Sequence, residues 1–144
     1  MKVLFLTVGA VLLDVFTKLF VKGISLPFAG IQFKGIPYGS SIPIIGDFLK
    51  LTFIENPGMA FGIQIINKAY LTIFTIIVVI GLFFFLIKIR KKSFWLRIPV
   101  ALILAGAIGN LIDRVFFGVI FGYAPLLLGR VVDFINIDFI MCSK

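Results

Sequence analysis

A chain of 144 residues that is 61% hydrophobic and 14% charged, with a mean hydropathy of +1.20, lies far outside the balance of a water-soluble globular domain and reads as a membrane protein. The absence of histidine excludes a Ser-His-Asp triad and histidine-ligated metals, and the single cysteine, Cys142, excludes an intrachain disulfide and a cysteine metal cluster, so no metal or cofactor is expected. The formal charge of +8 fits either nucleic acid or the cytoplasmic ends of membrane helices, and the positions of the cations decide between them.

Crossing ~30 Å of hydrocarbon takes about 20 helical residues, and three apolar runs are long enough. The first spans about Val3 to Val21 and is interrupted by Asp14 and Lys18. It is too long for a signal peptide, carries an acid, and lacks a small-residue cleavage site after it. The outer segment from Gly23 to Lys68 follows, in which Gly and Pro punctuate β-prone pieces such as "GIQFKGIPY" and "FLKLTFIEN". In the second piece Leu49, Leu51 and Phe53 alternate with Lys50 and Thr52, which predicts a half-buried strand in a small sheet at the membrane surface. The second long run, Ala69 to Ile89, is apolar throughout and reads as scaffold. After it, "KIRKKSFWLR" (residues 88–97) carries the cations Lys88, Arg90, Lys91, Lys92 and Arg97. The third run extends from about Trp95 to Asp113 and Arg114, and residues 114–144 follow on the far side.

The basic cluster predicts a cytoplasmic loop, which sets the N-terminus inside and residues 23–68 and 114–144 outside. Because topology already accounts for the cations and no nucleic-acid module surrounds them, no nucleic-acid partner is expected. The expected architecture is a single all-α polytopic membrane domain with three transmembrane helices and a small outer-face sheet.

Chemistry then rests on few polar groups. Asp14, Asp113, Asp133 and Asp138 lie toward the outer side, where ionisable groups at membrane depth are costly and are functional candidates by default. The structural alternatives are a pairing of Asp14 with Lys18 at i, i+4, and a pairing of Asp113 with Arg114 or a capping role. Asn56 in "FIENPGMAFG" can donate to and accept from a peptide backbone, and Gly58, Ala60 and Gly62 permit close approach of another chain. A turn without a ligand explains the glycines equally well. Gly106, Ala107 and Gly109 in "LAGAIGNLIDR" suit close helix packing, while Asn110, Asp113 and Arg114 share one helical face at the outer boundary.

Four stretches in order, "LDVFTK", "ENPGMAFG", "GNLIDRV" and "VVDF", resemble the lipoprotein signal peptidases of bacteria, signal peptidase II, over nearly all of the chain from Asp14 to Phe134. The resemblance implies an intramembrane aspartic endopeptidase of the bacterial cytoplasmic membrane. Such an enzyme removes signal peptides from diacylglyceryl-modified prolipoproteins just before the lipidated cysteine. It further implies four transmembrane helices, a β-cradle at the outer leaflet, contact with membrane lipid and inhibition by globomycin. Under it, Asp133 matches one of two catalytic aspartates. Asn56, Asn110 and Arg114 match polar residues lining or supporting the substrate pocket, Gly58 accompanies Asn56, and Asp14 and Asp113 match supporting acids.

The sequence departs from the family pattern at its end. The second catalytic aspartate, in an "FN-x-AD" motif opening a fourth helix, does not occur before Lys144, and "FINID" (134–138) abuts "VVDF" and lacks the alanine, so Asp138 is a poor stand-in. The expectation is a C-terminally truncated member of impaired activity. The rival is a non-enzymatic membrane protein, either a remnant that binds lipidated signal peptides or a small transport subunit. Transport is disfavoured because the acids gather on one side and the second helix lacks polar groups at mid-depth.

Overall fold

Among the described residues of the computed structural model three helices are long and apolar enough to cross a membrane, and small antiparallel sheets accompany them, consistent with the membrane protein expected from the sequence. The structure describes residues 2–26, 30–60, 63–64 and 68–137. Helix α1 is Lys2–Lys22, α2 is Lys68–Lys88 and α3 is Phe94–Ile112. Their Phe, Ile and Leu side chains are largely exposed, as lipid-facing surfaces require.

Lipid tails are as apolar as leucine, so apolarity alone does not drive these helices together; close backbone approach and hydroxyl bonds do. On α3, Ala101, Ala105 and Gly109 recur every four residues and are buried. Thr7 of α1 meets this stripe, its Oγ1 donating to the carbonyls of Ala101 (3.3 Å) and Val3 (3.2 Å). Val3, Leu86, Ile89, Ala101 and Leu104 form one apolar cluster contributed by α1, α2 with its following turn, and α3. Gly106 plays no part in this packing: a Cβ there would meet open space. Of the two glycines singled out in this stretch, Gly109 is the one that admits a neighbour.

The third helix runs further than its sequence suggests. Beyond Ile112 it continues as a π turn, Asp113–Phe117, and a last α-helical turn, Gly118–Ile120, giving 27 helical residues in all. Nothing at Asp113 or Arg114 stops a helix, since neither is a helix breaker and the next glycines are Gly118 and Gly122. Reading the first charged pair as the membrane boundary therefore set the end of the helix one or two turns early.

Strands β1 (Gly23–Leu26) and β2 (Ile31–Lys34) form an antiparallel hairpin. Strands β3 (Ser41–Ile45), β4 (Leu49–Asn56) and β7 (Val131–Ile137) form a sheet in the order β3-β4-β7, and β5 (Met59–Ala60) pairs with β6 (Ile63–Gln64). Pro43, which cannot donate to a ladder, sits on the edge strand β3 beside a register shift. Ser41 and Thr52 pair across β3 and β4 with their hydroxyls 2.7 Å apart.

The chain divides into two compact units, Met1–Val15 with Pro57–Val131 and Phe16–Asn56 with Val132–Lys144. The first holds the helical core. In the second, Ile36 N–H donates to the Val21 carbonyl (2.8 Å), the Phe20 and Phe33 rings lie 5.4 Å apart, and Tyr38 meets Phe53 edge-on at 5.6 Å.

Candidate functional site

In the first unit the polar residues collect where α3 leaves α-helical register. A π turn adds a residue to one turn and frees carbonyls from the i, i+4 ladder. The Arg114 carbonyl accepts from Gly129 N–H at 2.9 Å, and the Val115 carbonyl lies 3.5 Å from Leu127 N. The chain returning after the helix is thus laid on the turn. Gly129 fits because it has no side chain: a Cβ there would collide with the carbonyls of Asp113 and Arg114. Leu127 adopts φ +71°, the left-handed region that costs a branched residue on the order of 1–3 kcal/mol. Its carbonyl accepts from Thr72 Oγ1 of α2 at 2.8 Å, with Thr72 fully buried.

Asp113 is completely buried in this turn, and Asn110 and Arg114 are half-buried beside it in sequence. The Arg114 guanidinium donates from Nη1 to Thr75 Oγ1 at 2.9 Å, and Thr75 donates onward to the Leu71 carbonyl at 2.8 Å. That relay fixes the direction of a flexible cation. Asp14 projects from α1 against Gly109, where an added Cβ would overlap its carboxylate. Close helix approach therefore holds an acid one residue from Asn110. Gly58 is buried with φ +106°, a conformation other residues rarely adopt, and its Cβ would stand 3.2 Å from Leu71 Cδ2.

In the second unit Asp133 lies on β7 with its side chain exposed, following the buried Val131 and Val132. Its strand neighbours β4, whose last residue is the half-buried Asn56, so these two candidates share a sheet. Lys22 forms an ion pair with Glu55 of β4, both side chains about nine-tenths buried, and its ammonium stands 5.7 Å from the centre of the Phe53 ring. Lys18 is only 2% exposed, an ionisable side chain buried on a helix that can cross the membrane. A wholly apolar groove of about 230 Å³ is lined by Phe16, Leu19, Phe20, Ile24 and Phe33. Asp138 lies outside the described residues.

Asn110, Asp113 and Arg114 are thus gathered at one end of α3, Asp14 is set against the same helix, and Asn56 and Asp133 lie on neighbouring strands. Sequence reasoning missed Thr72 and Thr75, because a helix read as apolar scaffold hides two hydroxyls in its first eight residues. It also gave Lys18 no role beyond an i, i+4 pairing with Asp14, although a lysine inside an apolar run carries that signal.

The family model for Signal peptidase (SPase) II matches residues 6–143. The lipoprotein signal peptidase of Syntrophus aciditrophicus is 37% identical, with the match covering 89% of this chain and 77% of that protein. That of Clostridium novyi is 36% identical, covering 81% and 71%. Two solved structures of a bacterial membrane enzyme, determined by the in meso method at 2.3 and 1.9 Å resolution, match with TM-scores of 0.70 and 0.67 at 30% and 31% identity. Each covers 96% of this chain, and the match spans 71% and 75% of the respective solved chains. With a family match over nearly the whole length, and with relatives and solved structures agreeing along the same residues, the chain belongs to the signal peptidase II family.

Proposed function

We propose that this protein is an intramembrane aspartic endopeptidase that cleaves signal peptides from diacylglyceryl-modified prolipoproteins in the bacterial cytoplasmic membrane. The observation that carries the proposal is the family match over residues 6–143, which encloses Asp133, a carboxylate exposed on an outer strand of a sheet. In this reading Asp133 is ionised and takes a proton from the water that attacks the scissile carbonyl. A second, protonated carboxyl polarises that carbonyl, and proximity separates the two titrations. Among the described residues β7 is paired on one edge only, by β4, so a substrate can bind in extended form along its other edge with its backbone donors and acceptors satisfied. By the family resemblance Asn56, Asn110 and Arg114 are the polar residues that line or support the substrate pocket, Gly58 accompanies Asn56, and Asp14 and Asp113 are supporting acids. The apolar groove at Phe16, Phe20 and Phe33 suits a lipid-modified partner, and globomycin-type inhibitors are expected to compete.

The family's second aspartate motif does not occur within residues 1–144, and a polypeptide limited to them is expected to turn over slowly, since each acid or base step typically contributes about 10²–10⁴. For that polypeptide, binding of lipidated signal peptides without turnover is the second reading. The basic residues 88–97 support a cytoplasmic N-terminus, and a periplasmic reporter inserted after Gly46 should be active while one inserted at Ser93 should not. The central test is Asp133→Asn in the purified gene product. Cleavage of a lipid-modified prolipoprotein should fall by at least about 10² while thermal stability is unchanged, because the side chain is exposed. Undiminished cleavage by the variant would remove Asp133 from the mechanism.

A further inference from the structure

At the end of the first unit that carries the N-terminus lies a cleft of about 500 Å³, within the size range of small-molecule sites. Its polar lining is Arg90, Lys91 and Arg97, and its apolar wall includes Val3, Leu4 and Leu86. Arg97 donates from Nη1 to the Arg90 carbonyl at 3.1 Å, which orients its guanidinium. Its Nε is buried and has no hydrogen-bond acceptor among the described residues.

The cations have no acidic counterpart nearby in sequence. All six acids (Asp14, Asp47, Glu55, Asp113, Asp133 and Asp138) lie outside residues 88–97 and beyond the first turns of α1. Asp14 stands about 16 Å along α1 from Val3, far beyond ion-pair distance. Membrane topology explains why cations are present in this loop, but it does not require three of five to converge on one concavity with an aliphatic wall. That wall is formed by the ends of membrane-crossing helices, so the cleft opens where headgroup and acyl chain meet. A phosphate in the cleft would be held by charge-assisted bonds from Arg90, Lys91 and Arg97, and the acyl chain would continue along Val3 and Leu86.

We propose that this cleft binds the headgroup of an anionic phospholipid of the adjoining leaflet. The site is separate from the residues proposed for proteolysis and does not depend on that reading. In nanodiscs of mixed phosphatidylcholine and phosphatidylglycerol, native mass spectrometry should find phosphatidylglycerol retained preferentially after partial delipidation. Brominated phosphatidylglycerol should quench the sole tryptophan, Trp95, which is exposed beside the cluster, more strongly than brominated phosphatidylcholine. Arg97→Gln should weaken the preference on the order of five-fold, as the loss of one cation near an anionic surface does, while Lys34→Gln on β2 should leave it unchanged. Equal retention of the two lipids by the unmodified protein would overturn the proposal. So would equal losses in the two variants, or full displacement by millimolar inorganic phosphate, which would indicate a free-anion site. None of these readouts involves peptidase activity, so they stand or fall apart from it.

Discussion

Gly109→Ala tests how the helix packing holds Asp14. A Cβ at position 109 would overlap the Asp14 carboxylate, and backing off to an ordinary contact of about 3.5 Å requires either the acid to swing away or α1 to separate from α3. Overpacking of this kind costs about 1–3 kcal/mol, which reduces the folded-to-unfolded ratio by roughly 5- to 150-fold. For a chain of this length the apparent melting temperature in detergent should drop by about 3–12 °C. Gly106→Ala, three residues earlier on the same helix, is the internal control. Its Cβ meets nothing within 4 Å, and exchanging a helical glycine for alanine there should be neutral or stabilising by up to about 1 kcal/mol. Removing the obstruction with Asp14→Ala in the Gly109→Ala background should recover stability, with a coupling of about 0.5–3 kcal/mol between the two positions. The assay is thermal unfolding of five purified proteins in one detergent, the unmodified protein, Gly109→Ala, Gly106→Ala, Asp14→Ala and the Asp14→Ala/Gly109→Ala double variant, followed by intrinsic fluorescence. Equal effects at 106 and 109, or strict additivity of the Asp14 and Gly109 changes, would refute the packing argument.

Thr72→Val keeps shape but leaves the Leu127 carbonyl without its hydroxyl donor. A loss of about 1–3 kcal/mol is expected, with cleavage falling at least as much as stability, and an unchanged melting temperature would show that the Leu127 conformation needs no such support. Gly129→Ala drives a Cβ into two backbone carbonyls that cannot rotate aside, so it should destabilise more than Gly109→Ala and should not be rescued by any single side-chain truncation at the π turn; the same unfolding assay decides. Lys22→Met should cost about 3–5 kcal/mol by removing the Lys22 partner of the largely buried Glu55 carboxylate, whereas Lys22→Met with Glu55→Leu should recover most of it, as chemical denaturation of the single and double variants can show.

The parts of this protein legible in the sequence are those governed by local pattern. Apolar run length located α1, α2 and α3, because crossing hydrocarbon demands that length whatever the tertiary context. The alternation through Leu49–Phe53 marked β4 for the same kind of reason. The end of α3 was not legible, since a π turn depends on bonds from Gly129 and Leu127, which come from residues more than ten positions later. The strand character of Val131–Ile137 was hidden as well. Its apolar run reads equally as helix or strand, and only the open edge of β4 decides. Among the candidate site residues, Asp113 and Asp133 stood out as acids in apolar surroundings, yet one is wholly buried and the other exposed, a distinction composition does not carry. Thr72 and Thr75 left little trace because a hydroxyl in an apolar helix normally bonds its own preceding turn, which both also do.

Hydrophobic mismatch gives the unequal helix lengths a further meaning. Helices α1 and α2, at 21 residues each, span about 31 Å and match a typical hydrocarbon core, whereas the 27 helical residues from Phe94 to Ile120 span about 40 Å. The surplus of roughly 9 Å must be absorbed by tilt or stand in the headgroup region, and it coincides with the π turn and the residues that receive Gly129 and Leu127. In a thin bilayer those carbonyls meet water, which competes for their bonds; in a thick one they are drawn toward hydrocarbon, where the same bonds have no competitor. The acyl-chain length of the surrounding lipid thereby becomes a control on how firmly the returning segment Leu127–Gly129 is held to the helix.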